Sequence, residues 1–322
     1  MIINGDCLTE MQKMEANSID FIVTDPPYGL HFMGKDWDSS TPNVEIWKEA
    51  LRICKPGAML ASFGGSRTHH HLMIALEHAG WEIRDTIMWI YGSGFPKSHN
   101  FGRKLGGEWS GYGTSLKPAY EPIILCQKPL DGTFAQNAEK WGVGGVNIDG
   151  SRLPTEDDRS RTNHKAPGFS GGYGVKNTEN NSLGRWPANL ILDEKAAEEL
   201  GNPSRFFYCA KASSSERNAG LEGMPLKQTV AGGGLNNTPD NVCGKYGSIK
   251  APQQNNHPTV KPLSLMRYII KLLAPPGNSR LLDPFAGSGS TLVAAQQLGI
   301  NAIGIEKSEE YCDIATRRLE SA

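Results

Sequence analysis

No run in the 322-residue sequence approaches the roughly 18–20 consecutive apolar residues that a membrane-spanning helix needs, so no membrane partner is expected. The opening residues, MIINGDCLTEM, have neither a basic start nor an apolar stretch, so the expectation is a folded cytoplasmic protein. Cysteine is sparse: six residues (Cys7, Cys54, Cys126, Cys209, Cys243, Cys312) with no CxxC pair, which excludes a zinc knuckle or a redox dithiol and leaves reduced, structural thiols. A surplus of positive charge is also lacking. Lys and Arg number 33 against 34 Asp and Glu, a net charge of -1, so the overall basic character of a simple DNA binder is missing. The small basic excess that exists lies in residues 91–256. The run His69-His70-His71 does not make a metal site, because consecutive helical residues point in different directions and cannot converge on one ion.

At 38% hydrophobic and 21% charged, the chain can bury one large core and carry a smaller inserted module. Both ends alternate strand and helix. Residues 19–24 (IDFIVT) form an apolar run halted at Pro26, 44–54 have helical spacing ended by Lys55-Pro56-Gly57, 59–63 read as a buried strand, 68–79 as a helix and 81–90 as a strand. Near the other end, 263–273 are helical up to Pro275-Pro276-Gly277, 280–283 are a strand running into a glycine loop, 291–298 a helix, 302–305 a strand, and 308–319 a helix with Ser308 as N-cap. This alternation predicts an α/β fold with a parallel sheet shared by the two ends. The divisions are 1–91, a middle region 92–256, and 257–322. In the middle region Gly, Asn, Ser and Pro dominate, strand-like pieces occur at 121–126, 189–192 and 206–210, and mobile loops are expected at 156–181 and 226–256.

The sequence LLDPFAGSGST places a strand end, a turn and two glycines, Gly287 and Gly289, before a helix, so that backbone can approach a small ligand closely. Ser290 stands where a phosphate-cradling P-loop needs Lys, and Leu292 where a dinucleotide fingerprint needs its third glycine, which disfavours both phosphate readings. Glu306 ends the next strand, where a carboxylate can accept hydrogen bonds from a ribose diol. Taken alone, this loop also fits a structural turn followed by a solvated glutamate.

Asp25-Pro26-Pro27-Tyr28 follows an apolar strand, and its two prolines remove two amide donors, leaving a site rich in acceptors. The Asp25 carboxylate and the Pro26 carbonyl can accept both hydrogens of an exocyclic amine and turn its lone pair toward an electrophilic methyl group. Tyr28 offers an aromatic face for a base extruded from the helix. By itself the tetrapeptide is equally a strand-ending turn. Gly5-Asp6-Cys7 can place a second carboxylate at a nucleoside's base, although a bare Gly-Asp turn is commonly structural.

Taken together, these residues resemble the N6-adenine and N4-cytosine amino-methyltransferases of DNA, in the circularly permuted β arrangement where the catalytic tetrapeptide comes first, a target-recognition region follows and the cofactor loop comes last. Asp25, Pro26, Pro27 and Tyr28 match the catalytic tetrapeptide. Asp283, Phe285, Gly287 and Gly289 match the cofactor loop, which also contains Ala286 and Ser288, and Glu306 matches the acid at the next strand end. The segment HPTVKP (257–262), with Lys261, is similar to the cofactor-proximal motif, and Asp6 and Cys7 join the cofactor-binding set. The resemblance implies a Rossmann-like sheet of seven strands with one antiparallel member, S-adenosylmethionine as donor, direct transfer to nitrogen by inversion, double-stranded DNA as partner and often a homodimer. It also implies a place in restriction-modification, and the middle segments are similar to those of phage- and prophage-type members. No cysteine follows a proline, unlike the Pro-Cys nucleophile of cytosine-C5 enzymes, so the expected target is an amine. Asp rather than Ser at the first position resembles the adenine-N6 enzymes. Cytosine-N4 methylation, a catalytically silent DNA-binding relative, and an RNA or protein target are the alternatives. In the middle region, Arg103, Lys104, Arg152 and Arg185 interleave with Trp109, Tyr112 and Trp186, a mix suited to phosphate contacts beside a distorted duplex.

Overall fold

The computed structural model describes residues 1–30, 38–92, 94, 98–155, 184–210, 215–224, 254–255, 257 and 260–322. Among them, nine strands join in one sheet: β1 (Ile2–Asn4), β2 (Ile19–Thr24), β3 (Cys54–Phe63), β4 (Glu82–Ile90), β5 (Tyr120–Gln127), β6 (Leu190–Asp193), β7 (Tyr208–Ala210), β8 (Arg280–Asp283) and β9 (Asn301–Glu306), in the spatial order β1-β9-β8-β2-β3-β5-β4-β6-β7. β5 runs antiparallel to both its neighbours and every other pairing is parallel. The single antiparallel strand agrees with the expectation. The strand number does not, since nine strands replace seven. β1 is too short to announce itself in sequence, and β6 and β7, from the middle region, extend the sheet beyond β4.

The α-helices among the described residues are α1 (Cys7–Gln12), α2 (Val44–Ile53), α3 (His69–Ala79), α4 (Gly102–Leu105), α5 (Phe134–Trp141), α6 (Glu194–Leu200), α7 (Leu263–Leu273), α8 (Ser290–Gln297) and α9 (Glu309–Glu320). The core explains why β2 and β3 read as unbroken apolar runs. Phe21, Val23, Met59, Ala61 and Phe63 pack on one face of the sheet with α7 (Leu263–Leu273) and α8 (Ser290–Gln297). Ile22 and Leu60 point the other way, onto α2 (Val44–Ile53) and α3 (His69–Ala79) through Trp47, Ile53, Leu72 and Leu76. Successive strand residues thus alternate between two buried faces, as a parallel sheet covered on both sides requires. The helix ends carry their own signals: Asn43 accepts from the Ile46 N–H at the start of α2, Gly80 closes α3 in the left-handed region (φ 101°), and Ser308 caps α9 (Glu309–Glu320) as its sequence suggests.

Most boundaries fall within two residues of those expected, and one differs by more. β3 begins at Cys54, not at residue 59, and carries Lys55-Pro56-Gly57 within it. The β2–β3 register shifts between Ile19 and Phe21, and Gly57 (φ 80°) turns its N–H to the Lys128 carbonyl at 3.1 Å, so the Pro-Gly pair is absorbed as an irregularity in the ladder. The loops expected at 156–181 and most of 226–256 lie outside the described residues. No helix among the described residues is long and apolar enough to cross a membrane.

Strand order positions the site. From β2 the chain proceeds outward to β3, whereas β8 and β9 lie on β2's other side, so the sheet's switch point falls between β2 and β8. Open α/β sheets bind ligands at the carboxyl ends of strands at such a point. There Thr24 and Asp283, 259 positions apart in sequence, meet in a 2.7 Å hydrogen bond.

Candidate active site

A cavity of about 1110 Å³ opens over the carboxyl ends of β2, β8 and β9, and its walls include Asp6, Cys7, Asp25, Pro26, Pro27, Tyr28, Lys261, Asp283, Phe285, Ala286, Gly287, Ser288 and Glu306. Residues proposed from opposite ends of the chain therefore surround one space. Gly289 is absent from this lining. It begins α8 in the left-handed region (φ 79°), where a Cβ would sit 2.9 Å from the Cβ of Ala315, so its smallness serves the packing of the loop on α9.

Asp25 occupies one end of the cavity, just past β2. Its Oδ1 accepts from the Tyr28 hydroxyl at 2.8 Å and its Oδ2 from Lys261 Nζ at 2.6 Å. Lys261 also reaches Glu121 Oε2 at 3.2 Å and donates to the Tyr28 hydroxyl oxygen at 3.1 Å. Burial pushes the Asp25 carboxyl up; Lys261 opposes this and Glu121 adds to it. Burial also works against the charge on Lys261, yet Asp25 and Glu121 together hold its ammonium above the ordinary lysine value. Tyr28, buried beside two carboxylates, is held well above the ordinary phenol value and stays neutral. Asp38, itself buried, accepts from the N–H groups of Tyr28 (2.7 Å), Gly29 (2.9 Å) and Leu30 (3.2 Å) and fixes the chain as it leaves the prolines.

Lys261, expected at the cofactor, thus stands against the proposed catalytic carboxylate. The helix α7 that follows it runs under β2 and β3, and carries the lysine to the carboxyl end of β2. Glu121 and Asp38 escaped sequence reasoning. An acid opening an apolar strand was a usable signal for Glu121, but an antiparallel β5 is needed to bring its first residues to the same sheet edge as Asp25. Asp38 sits in a polar loop with no distinguishing pattern.

At the other end of the cavity, Glu306 closes β9. Its carboxylate accepts from the Gly287 N–H (2.9 Å) and the Ser308 N–H (2.8 Å), joining the glycine loop to the start of α9. Burial raises its pKa, and these backbone donors pull it back. Two acceptor oxygens with about four lone-pair sites leave capacity for a diol. Asp6 caps α1 (Cys7–Gln12), accepting from the Thr9 N–H at 3.2 Å. The Cys7 thiol is pushed up to about 12, chiefly by burial, and is no nucleophile. Phe285 packs against Trp47 with ring centres 6.2 Å apart. His257 lies over the loop, where a Cβ on Gly287 would approach its Nε2 to 2.8 Å, and stands edge-on to Tyr311. Burial, then the neighbouring cations Lys261, Arg217 and Arg318, push its imidazole down to about 3, so it is neutral.

Asp283, in the cavity wall, also fastens β8 to β2. Its Oδ1 accepts from the Thr24 hydroxyl (2.7 Å) and the Phe285 N–H (3.1 Å), and burial pushes its pKa from 3.8 up to about 6. A carboxyl whose folded value exceeds its unfolded one costs nothing below pH 3.8, costs progressively more up to about pH 6, and a constant amount above. The full cost is on the order of 3 kcal/mol. Asp283→Asn keeps the Oδ1 acceptor and removes the charge. Its melting temperature, relative to wild type, should therefore rise as pH is raised through this window. A difference independent of pH in paired thermal melts would show that Asp283 ionises without penalty.

The basic and aromatic residues of the middle region separate. Ser115, Leu116 and Lys117 line the cavity, and Trp109 packs tilted against Phe101 and edge-on to Tyr112 in the same β4–β5 connection. Arg152, Arg185 and Trp186 instead precede β6 and so lie at the opposite edge of the sheet, with Arg152 over the Trp186 ring and Arg185 over Phe206. Arg217 donates to the His257 carbonyl at 2.6 Å and is a clamp on the segment before Lys261. Among the described residues, no group of three His, Cys, Asp or Glu is placed to hold a metal ion.

The chain is similar to known proteins along nearly its whole length. The family model described as DNA methylase, that of the N6 and N4 methyltransferases, matches residues 19–317. Type II methyltransferase M.HindIII of Haemophilus influenzae is 24% identical over 372 aligned positions, covering 99% of this chain and 94% of its own. DNA adenine methyltransferase YhdJ of Escherichia coli is 26% identical over 344 positions, covering 100% and 83%. Among solved structures, the cytosine-N4-specific PvuII DNA methyltransferase is similar in fold over 100% of this chain and 93% of its own, with 15% identity and a TM-score of 0.52. With the family match running from β2 through α9, and so across both walls of the cavity, this chain belongs to the DNA methylase family of N6 and N4 methyltransferases.

Proposed function

We propose that this protein transfers a methyl group from S-adenosylmethionine to the N6 amine of an adenine in double-stranded DNA, at a specific sequence and with the base extruded into the cavity. The observation that carries the reading is the shared cavity, which holds a fixed carboxylate beside an aromatic ring at one end and a glycine loop flanked by acids at the other. The donor's chemistry fits the second end. Glu306 offers acceptors to a ribose diol, Asp6 to an amino group, and Phe285, Ala286 and neutral Cys7 an apolar wall to a base. When bound there, the donor supplies a methyl carbon made electrophilic by its sulfonium.

The chain's own residues do the rest. Asp25 accepts a hydrogen from the target amine and holds it in place, and Lys261 opposes the rise in the carboxyl's pKa that burial causes. Tyr28, anchored through its hydroxyl, presents its ring to the base. No side chain bonds covalently to the substrate. Adenine is favoured by the Asp at position 25 and by relatives that include a DNA adenine methyltransferase.

The test is incubation with mixed-sequence duplex DNA and S-adenosylmethionine bearing an isotopically heavy methyl, followed by digestion and mass spectrometry of the nucleosides. Labelled N6-methyladenine supports the reading. Labelled N4-methylcytosine keeps the mechanism and corrects the base, and unlabelled nucleosides from a protein that binds the cofactor refute a DNA target. For the donor end, Glu306→Ala is expected to weaken cofactor binding by about 10- to 100-fold, as the loss of charge-assisted hydrogen bonds worth roughly 1.5–3 kcal/mol implies. Unchanged affinity in calorimetry would take Glu306 out of the binding set.

A further inference from the structure

At the acceptor end, Tyr28 stands between two carboxylates. Its hydroxyl oxygen is 2.8 Å from Asp25 Oδ1 and 3.0 Å from Glu121 Oε2, and it also accepts from Lys261 Nζ at 3.1 Å. A phenol has one proton, so it can donate to one of these carboxylates at a time. The same four groups therefore support two hydrogen-bond orders that differ by the position of one proton. Glu121 is the more open of the two acids, 23% exposed against 17% for Asp25, and a base held against Asp25 would cover that carboxylate's remaining face.

We propose that Glu121, acting through the Tyr28 hydroxyl, receives the proton that the target amine must shed. The inference rests on the amine-methylation reading above. When the amine nitrogen has bonded the methyl carbon, and the carbon–sulfur pair has returned to sulfur, the nitrogen is cationic with one hydrogen too many. Its N–H breaks toward the Asp25 carboxylate. The new Asp25 O–H then passes its proton to the Tyr28 oxygen as the Tyr28 O–H proton moves to Glu121, which releases it to water. Charge balances at each step, no phenolate forms, and Asp25 returns to the ionised state in which it accepts the next amine. Lys261 remains an ammonium throughout and positions all three oxygens. The ionisable groups facing the path are Lys261 from the segment before α7, Tyr91 from the end of β4, and Asp283 from β8. Glu121 is thus a positioning and relay residue, not one that touches the substrate.

Single-turnover methyl transfer on DNA should be compared for wild type, Glu121→Gln, Tyr28→Phe and the double variant. Gln keeps the size and an acceptor oxygen, and Phe keeps the ring. Each single variant is expected to lose about 10²-fold, the lower range for a general acid–base contribution, and the double variant no more than the worse single, because both break one path. Formate should partly restore Glu121→Ala. A role for Glu121 as a mere partner of Lys261 predicts instead losses that multiply with those of Tyr28→Phe. In the protein without cofactor or DNA, exchange of the Tyr28 hydroxyl proton with solvent, read by NMR, should slow in Glu121→Gln. Losses that multiply in the double variant, or hydroxyl exchange unchanged by Glu121→Gln, would overturn the relay. If wild type methylates nothing, the enzymatic reading fails separately, and the exchange rate still decides whether the path exists.

Discussion

Asp25→Ala is expected to lower methyl transfer by at least about 10²–10³-fold, the cost of losing one oriented polar group at a reacting centre, while leaving cofactor affinity nearly unchanged. The separation follows from the geometry. Asp25 contacts Tyr28 and Lys261 at the acceptor end, whereas the glycine loop is organised by Glu306, Asp283 and the start of α9. Removing the carboxylate also leaves Lys261 with Glu121 as its remaining acid, and breaking a buried pair costs roughly 3–5 kcal/mol. The variant's melting temperature should accordingly fall. Asp25→Asn separates the two effects, since its amide oxygen still accepts a hydrogen from the amine and its size is unchanged; it should retain more activity than Asp25→Ala. Single-turnover rates alongside calorimetry of cofactor binding give the comparison, and an Asp25→Ala enzyme with wild-type rates would end the assignment.

Lys261→Met is the second large effect, and its signature is a displaced pH profile. Burial raises the Asp25 carboxyl and Lys261 is the principal influence lowering it. Without the ammonium, Asp25 titrates higher still. Because the ionised carboxylate is the active form, the acidic limb of the rate profile must move to higher pH, so that activity lost near neutrality partly returns in alkaline buffer. Lys261→Arg, which retains the charge, should stay closer to the wild-type profile although its fork cannot reproduce three contacts made by one nitrogen. A Lys261→Met enzyme with an unmoved profile and weakened cofactor binding would return this lysine to the donor end.

Much of the sheet is legible in the sequence because its signals are local. β8 and α7 fall on the residues their apolar runs and proline stops indicate, and the Ser308 cap fixes the start of α9. The glycine loop and the DPPY turn were readable for the same reason. What could not be read depends on contacts between distant segments. β1 is held by pairing with β9 at the far end of the chain, and β3 gains its first residues from an irregular ladder with β2. The lysine in HPTVKP shows its partner only when α7 lies under β2, and Glu121 enters the site only because β5 is reversed. Of the residues that the motifs assign to the cofactor, Lys261 contacts Asp25 and Gly289 packs against Ala315, contacts that no local pattern announces.

The hydrogen bond from Thr24 to Asp283 fastens two adjacent strands one residue before each begins its loop. The DPPY turn and the glycine loop consequently leave the sheet from ladder neighbours, whose strands lie about 4.8 Å apart. The long excursion between the two strands is closed at this bond, and Asp38 and Glu121 return from it to the acceptor end. Chain order is immaterial to the reaction, because the two strands need to be neighbours in space and not in sequence.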